Sequence, residues 1–258
     1  MNEWIKSEKE IEGLRESGAR LSVVLAELAL SVAPGISTRL LGEEAERLIR
    51  KQGGMPIFKG YGSEWGKPFP AAICISVNEE VVHGIPSSRI LREGDILKLD
   101  IGMRYQGMIT DMARTFPVGA IAPDAARLIT ATKESLDLGI SKLRSGVRLS
   151  RFAQAVESRV KQNGFSVVRD LVGHGVGREL HEEPNIPNYF VKGMENFSFR
   201  KGMSVALEPM VNMGRPAVRL ADDGWTYKTA DGSLSAHFED TLIITESGVE
   251  IVTRTSHE

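Results

Sequence analysis

Apolar residues Ile11, Leu14, Leu21, Val24, Leu25 and Leu28 recur at helical spacing from about Ser7 to Val32, and Pro34-Gly35 ends the run. Ser37 or Thr38 can cap a second helix, which carries Leu41, Ala45, Leu48 and Ile49 on one face and stops at Gly53-Gly54. A Gly/Pro-rich stretch from Gly53 to Pro70 reads as loop. Beyond it the pattern changes, and the β-branched apolar runs AAICISV and DILKLDIGM read as strands. The second half repeats this order: a helix from about Pro123 to Leu143, a turn at Ser145-Gly146, and a helix from about Ser150 to Asn163 before Gly164.

The two halves also resemble each other in sequence. Setting GISTRLLGEEAERLIRKQGG above GVRLSRFAQAVESRVKQNGF matches Gly35 with Gly146, Glu46 with Glu157 and Gly53 with Gly164 at a constant offset of 111. LKLDIG resembles VALEPM and TDMARTF resembles FEDTLIIT, so each half ends in two strands that bear a carboxylate. The pattern predicts an α/β (α+β) architecture in one domain, residues 1–258, with halves of about 5–120 and 121–253. The halves share a mostly antiparallel sheet, and helices cover one of its faces.

Composition narrows the function classes. At 258 residues and 41% hydrophobic, the chain can bury a core without covalent staples. Thirty-two basic against 34 acidic residues leave a net charge of −2, so no global field draws it to nucleic acid or an anionic membrane. The longest apolar stretch, Leu21 to Ala33, is interrupted by Glu27 and is too short to span a bilayer. The start, MNEWIKSEKE, lacks the apolar segment of a secretory signal, and the single cysteine, Cys74, cannot form an internal disulfide. A cytoplasmic protein is expected.

The acidic residues carry the candidate chemistry. Asp100 interrupts the run ILKLDIGM, where alternation puts it on the face of Lys98 and opposite Leu97 and Leu99. Glu208 in MSVALEPMV and Glu239 in HFEDTLIIT interrupt similar runs. Singly, an acid near a strand end is ordinarily solvated or salt-bridged. Several buried together repel one another unless a multivalent cation lies between them. Asp111 follows Asp100 across a turn at Gly107, a spacing that a hairpin can fold back so that both acids reach one point. Of five histidines, four sit in motif-like settings: His83 in VVHGIP, His174 and His181 in GHGVGRELHEEP, and His237 in HFED, whereas His257 is a tail residue. Glycines around His174 allow the close backbone approach that a rigidly aimed ligand needs.

Through ISVNEEVVHGIP, LKLDIG, ITDMARTFPVG, VVRDLVGHGVGRELHEEP, VALEPMVN, DDGWTYKT and LSAHFEDTLIIT, in that order, the chain resembles the type I methionine aminopeptidases from about Ile5 to Thr253. The resemblance implies the pita-bread fold, with two pseudo-symmetric halves and a curved sheet. It also implies removal of the initiator methionine from nascent proteins, with preference for a small second residue. Five metal ligands carry over as Asp100, Asp111, His174, Glu208 and Glu239, with Asp111 and Glu239 bridging two divalent ions. Such a donor set suits manganese, iron(II) or cobalt, with zinc a further candidate. Two cations lower the pKa of a water between them, and by analogy Glu208 carries its proton toward the leaving amine. His83 and His181 are implied to hydrogen-bond the substrate. Tyr61, Phe69, Cys74, Leu180 and Trp225 are implied to line the methionine pocket, although Cys74 reads equally well as a small core residue.

The chain departs from this family at three places. GSEWGKP, residues 62–68, lengthens a loop by about five residues and alters the pocket entrance. Ile109-Thr110 stand where a His-Gly pair is usual, and Asp240 stands where histidine is frequent. Asp240 is similar to the proline-specific peptidases of the same fold, which makes an X-Pro aminopeptidase or dipeptidase the alternative. A non-catalytic binding protein on this fold is the other alternative, and retention of all five ligand types argues against it. The expected partners are N-terminal methionine peptides. Association with the ribosome follows only from where such peptides emerge, and neither nucleic-acid specificity nor a membrane is expected. A monomer is expected.

Overall fold

The computed structural model describes residues 4–254, so His257 lies outside the described residues. Helix α1 spans Glu8–Ala29 and begins with a capping box: the Glu10 amide donates to Ser7 Oγ, and the Glu10 carboxylate accepts from the Ser7 amide. Helix α2 spans Thr38–Lys51, and its cap is Ser37, whose hydroxyl accepts from the Leu40 amide at 3.3 Å. Thr38 instead donates its hydroxyl to the Ser87 carbonyl. Five strands follow: β1 (Met55–Pro56), β2 (Cys74–Val77), β3 (Glu80–Val82), β4 (Ile96–Tyr105) and β5 (Met108–Pro117). The Gly53–Pro70 stretch, expected as loop, thus contains β1 and a 3-10 turn at Ser63–Trp65.

The second half opens with α3 (Pro123–Ile140) and α4 (Leu149–Gln162). The 111-residue offset carries both ends of α2 onto the ends of α4. Then come β6 (Ser166–Val167), β7 (Gly173–Gly175), β8 (Glu182–Ile186), β9 (Ser204–Leu207), β10 (Met210–Asn212), β11 (Val218–Leu220), β12 (Tyr227–Thr229), β13 (Ser235–His237), β14 (Asp240–Ile244) and β15 (Val249–Ile251).

Among the described residues every strand pair is antiparallel. The expected shared sheet is divided by its hydrogen bonds into a four-stranded, a five-stranded and two three-stranded sheets. The two larger ones meet where Ala113 and Glu239 exchange backbone hydrogen bonds of 3.2 and 2.9 Å. One cause of the division is local: Pro209 has no amide proton and separates β9 from β10. The pairing register is the same on both sides of that interruption, with Leu207 opposite Asp240 and Met210 opposite His237.

Each half has its own core against its helices. In the first, Leu21, Leu28, Leu41 and Ile49 pack on Ile75, Leu97 and Leu99; in the second, Leu128, Phe152 and Val156 pack on Val205, Leu207 and Leu242. Each such side chain contributes about 1.5–3 kcal/mol on burial. Because side chains alternate along a strand, fixing Leu97, Leu99 and Leu207 toward the helices turns Asp100 and Ala206 to the opposite side. That opposite side is where the candidate site lies.

Candidate active site

The β4–β5 hairpin turns through Gln106 and Gly107, both at positive φ (48° and 86°), as a tight two-residue connection between twisted strands requires. Its register sets Asp100 opposite Ala113 and Gly102 opposite Asp111, so the two aspartates share a face as diagonal neighbours. The Ala113–Glu239 bridge brings Glu239 beside them from the other half. Thr241 secures the junction, accepting from the Asp111 amide at 2.9 Å and donating to its carbonyl at 2.7 Å. Glu208 follows β9 directly, and its carbonyl accepts from Asn188 Nδ2 at 3.2 Å. His174 lies in the middle of β7, opposite Ala206. Glycines flank it because a Cβ at Gly173 or Gly175 would stand 2.5 or 2.4 Å from the carbonyl oxygens of Ala206 or Glu183. Glu208 and Glu239 were expected inside strands; both instead sit at the interruption, Glu208 outside the ladder and Glu239 paired only through its bridge to Ala113.

The residues that the resemblance assigns to the site all line one cavity of about 360 Å³, including His83, His181, Tyr61, Phe69, Cys74, Leu180 and Trp225, whereas His237 is not among its lining residues. Five of them, Asp100, Asp111, His174, Glu208 and Glu239, gather at its floor, where Asp111, His174 and Glu239 offer atoms within 4.8 Å of one another. The His174 ring donates from Nδ1 to the Gly175 carbonyl at 2.8 Å, which leaves the lone pair of Nε2 facing Glu208 Oε1 at 3.3 Å.

The electrostatics are those of uncompensated charge. Burial first, and then Asp111, push the Asp100 carboxyl well above the usual carboxylate range, with the Cys74 thiol partly opposing the shift. Burial raises Asp111 to about 7. Burial followed by the neighbouring carboxylates raises Glu208 and Glu239 well above their ordinary value. The buried oxygens Asp111 Oδ1 and Glu239 Oε1 have no hydrogen-bond partner among the described residues. Hard oxygen donors held together without a counter-charge, beside an imidazole with a bare nitrogen, fit divalent cations.

The other histidines are held neutral. Burial, then His181, brings His83 down to about 4, and burial lowers His181. Burial brings His174 and His237 to about 3. His83 has a positive φ of 58°, rare for a residue with a Cβ, and its ring meets Tyr227 edge-on at 6.0 Å. Tyr61 Oη lies 2.6 Å from His181 Nδ1. Phe69 and Trp225 meet edge-on at 5.3 Å and form the apolar side of the cavity with Cys74 and Leu180. Phe58 and Met210 also line the cavity. Neither was singled out, since an apolar residue carries no sequence sign of which wall it joins.

Two of the departures resolve structurally. Asp240, fully buried, points away from the cavity, accepting from Arg114 Nη2 at 2.8 Å, from Arg254 Nη2 at 2.6 Å and from the Thr253 hydroxyl at 3.1 Å. The added loop places its 3-10 turn between Gly62 and Gly66, both left-handed, and sets the exposed Trp65 edge-on to Tyr61 at 5.5 Å.

Among known proteins, the chain matches the profile of metallopeptidase family M24 over residues 12–246. It is 46% identical over 251 residues to methionine aminopeptidase 1 of Bacillus subtilis (strain 168), covering 96% of this chain and 98% of that protein. The crystal structure of methionine aminopeptidase from Thermotoga maritima matches with a TM-score of 0.92 at 42% identity, over 97% of this chain and 99% of that one. Prolidase from Pyrococcus furiosus shares the fold alone: TM-score 0.78 at 21% identity, over 98% of this chain and 66% of that chain.

Proposed function

The chain belongs to metallopeptidase family M24, among its methionine aminopeptidases, and from that membership we propose that it removes the N-terminal methionine of nascent proteins ahead of a small second residue. The catalytic unit is the whole chain, because each half supplies carboxylates. The observation that carries the reading is the convergence of Asp100, Asp111, His174, Glu208 and Glu239, unpaired by any lysine or arginine among the described residues, beneath a soft apolar wall. These five would hold two divalent ions. Manganese, iron(II) and cobalt suit the donors, and zinc is admissible. When bound, the ions supply Lewis acidity and a water that ionises near neutral pH.

The protein's own groups do the rest. Glu208 would take the proton of the attacking water and pass it to the leaving amine. His83 and His181, neutral and at the cavity wall, donate hydrogen bonds to the substrate carbonyl region. Tyr61, Phe69, Cys74, Leu180 and Trp225 enclose the thioether, whose contacts with aromatic rings add about 0.3–1.5 kcal/mol each. The test is hydrolysis of Met-Ala-Ser, Leu-Ala and Ala-Pro peptides by metal-stripped protein given back manganese, iron(II) or cobalt. Cleavage of Met-Ala-Ser above the others is expected. Preference for Ala-Pro would assign the chain to X-Pro peptide hydrolysis instead, and the orientation of Asp240 away from the cavity speaks against that outcome.

A further inference from the structure

We propose that His237 is a sixth protein ligand of the metal centre, a second imidazole on its Glu208–Glu239 side. The inference rests on the reading of Glu208 and Glu239 as ligands and extends it to a residue outside the five. His237 is 1% exposed, and among the described residues neither of its ring nitrogens has a hydrogen-bond partner. A buried imidazole in that condition is rare, since buried polar atoms are nearly always satisfied. Its Nε2 lies 3.9 Å from Glu208 Oε2 and 3.8 Å from Glu239 Oε2, and the three residues offer ligand atoms within 4.8 Å of one another.

The backbone explains the aim of the ring. His237 pairs with Met210, and Leu207 with Asp240, in one continuous register, so Glu208 and Glu239 face each other between those pairs. Alternation puts His237 and Glu239 on the same side of their strand, with Glu208 diagonal to the ring. The main chain of His237 is fixed on the other edge by Thr115, whose hydroxyl donates to its carbonyl at 2.7 Å and accepts from its amide at 2.9 Å. The ring therefore has a defined direction and two carboxylate oxygens at nearly equal distance.

Geometry decides between a shared ion and a hydrogen bond. Donors at about 2.0–2.2 Å from one ion stand about 3–3.6 Å apart, so the observed separations of 3.8 and 3.9 Å need a contraction of about 0.2–0.9 Å. A direct hydrogen bond to either oxygen, at about 2.7–3.2 Å, needs a larger movement and still serves only one of the two. Glu208 already presents Oε1 to His174, so its two oxygens face two different imidazoles. A second nitrogen donor moves the site's preference toward cobalt, iron(II) and zinc relative to manganese.

The experiment is proton NMR of the metal-stripped full chain reconstituted with two equivalents of cobalt(II). Each coordinated imidazole gives a strongly shifted, solvent-exchangeable ring N–H signal. Two are expected; H237N and H237Q should each lose one, keep the other, and bind cobalt about tenfold or more weaker by calorimetry. A single such signal in the wild type, retained in the variants, would overturn the assignment, and the wild-type count decides alone if the variants do not fold. Absence of cobalt binding altogether would be a different failure, removing the five-ligand centre on which this sixth ligand depends.

Discussion

Tyr61 shows how one side chain serves both the pocket and the chemistry. Its hydroxyl, 2.6 Å from His181 Nδ1, can donate there and so place the ring proton on Nε2, toward the cavity. Tyr61→Phe should lower kcat/KM for Met-Ala-Ser about fivefold to tenfold, the loss expected for one hydrogen bond of about 1 kcal/mol, with little change in melting temperature. Glu208→Gln should lower kcat by about 10²–10⁴, since the amide cannot carry a proton; steady-state kinetics with saturating metal reads this directly. Asp100 was legible as a carboxylate interrupting an apolar alternating run and Asp111 by its spacing across the Gly107 turn, while their roles as ligands came from the resemblance. The position of Glu208 and Glu239 at a strand break was not, because Pro209 alone does not reveal that the partner strand also leaves the ladder. His237 stood out as a motif residue, and the role proposed for it rests on a ring without a hydrogen-bond partner among the described residues.

The N-terminal segment and the loop carrying His181 are tied by charges. Lys6 Nζ lies 2.6 Å from Glu182 and Arg178 Nε 2.6 Å from Glu10. The Arg178 guanidinium holds Glu10 at about 2, below its ordinary 4.5. A carboxylate with a lowered folded-state pKa contributes stability above its unfolded pKa and loses it as pH falls through the folded value. The tie should therefore weaken between about pH 4.5 and 2. Since this pair is partly solvent-exposed, Glu10→Gln should cost only about 1 kcal/mol or less at pH 7, measured by urea unfolding, and progressively less as pH falls toward about 2. The buried Asp240 differs: Asp240→Asn removes a fully buried carboxylate bound to Arg114 and Arg254, the latter keeping its pair with Asp137, and should cost about 3–5 kcal/mol by the same measurement. The helices were legible because caps and apolar stripes are local, and the matched ends of α2 and α4 show how far such signals reach. Strands such as β3 and β12, three residues each, owe their existence to pairing across most of the chain, Tyr227 with Val82, which no local pattern encodes.

Across the whole molecule, two helix-backed halves meet at the Ala113–Glu239 bridge, and their carboxylates are concentrated at that junction. The repeat of element order was visible in the sequence; the division into four hydrogen-bonded sheets was not, because it depends on breaks that alternation does not mark. Such a centre stabilises the fold only when its charge is compensated. Metal removal should lower the melting temperature, and metal at a hundred times its Kd should restore about 2.7 kcal/mol per site. In the stripped protein, Asp111 binds its proton up to about pH 7 when folded but only to about 3.8 when unfolded. Stability of that form should thus fall as pH rises from about 4 to 7, a dependence that saturating metal abolishes.

The central claim is that side chains from both halves hold divalent ions at one point. Anomalous diffraction from manganese-soaked crystals tests it most directly. The account predicts two peaks among Asp100, Asp111, His174, Glu208 and Glu239, about 2.0–2.3 Å from their donor atoms. Manganese bound only elsewhere on the surface, with these five side chains carrying no peak, would contradict it.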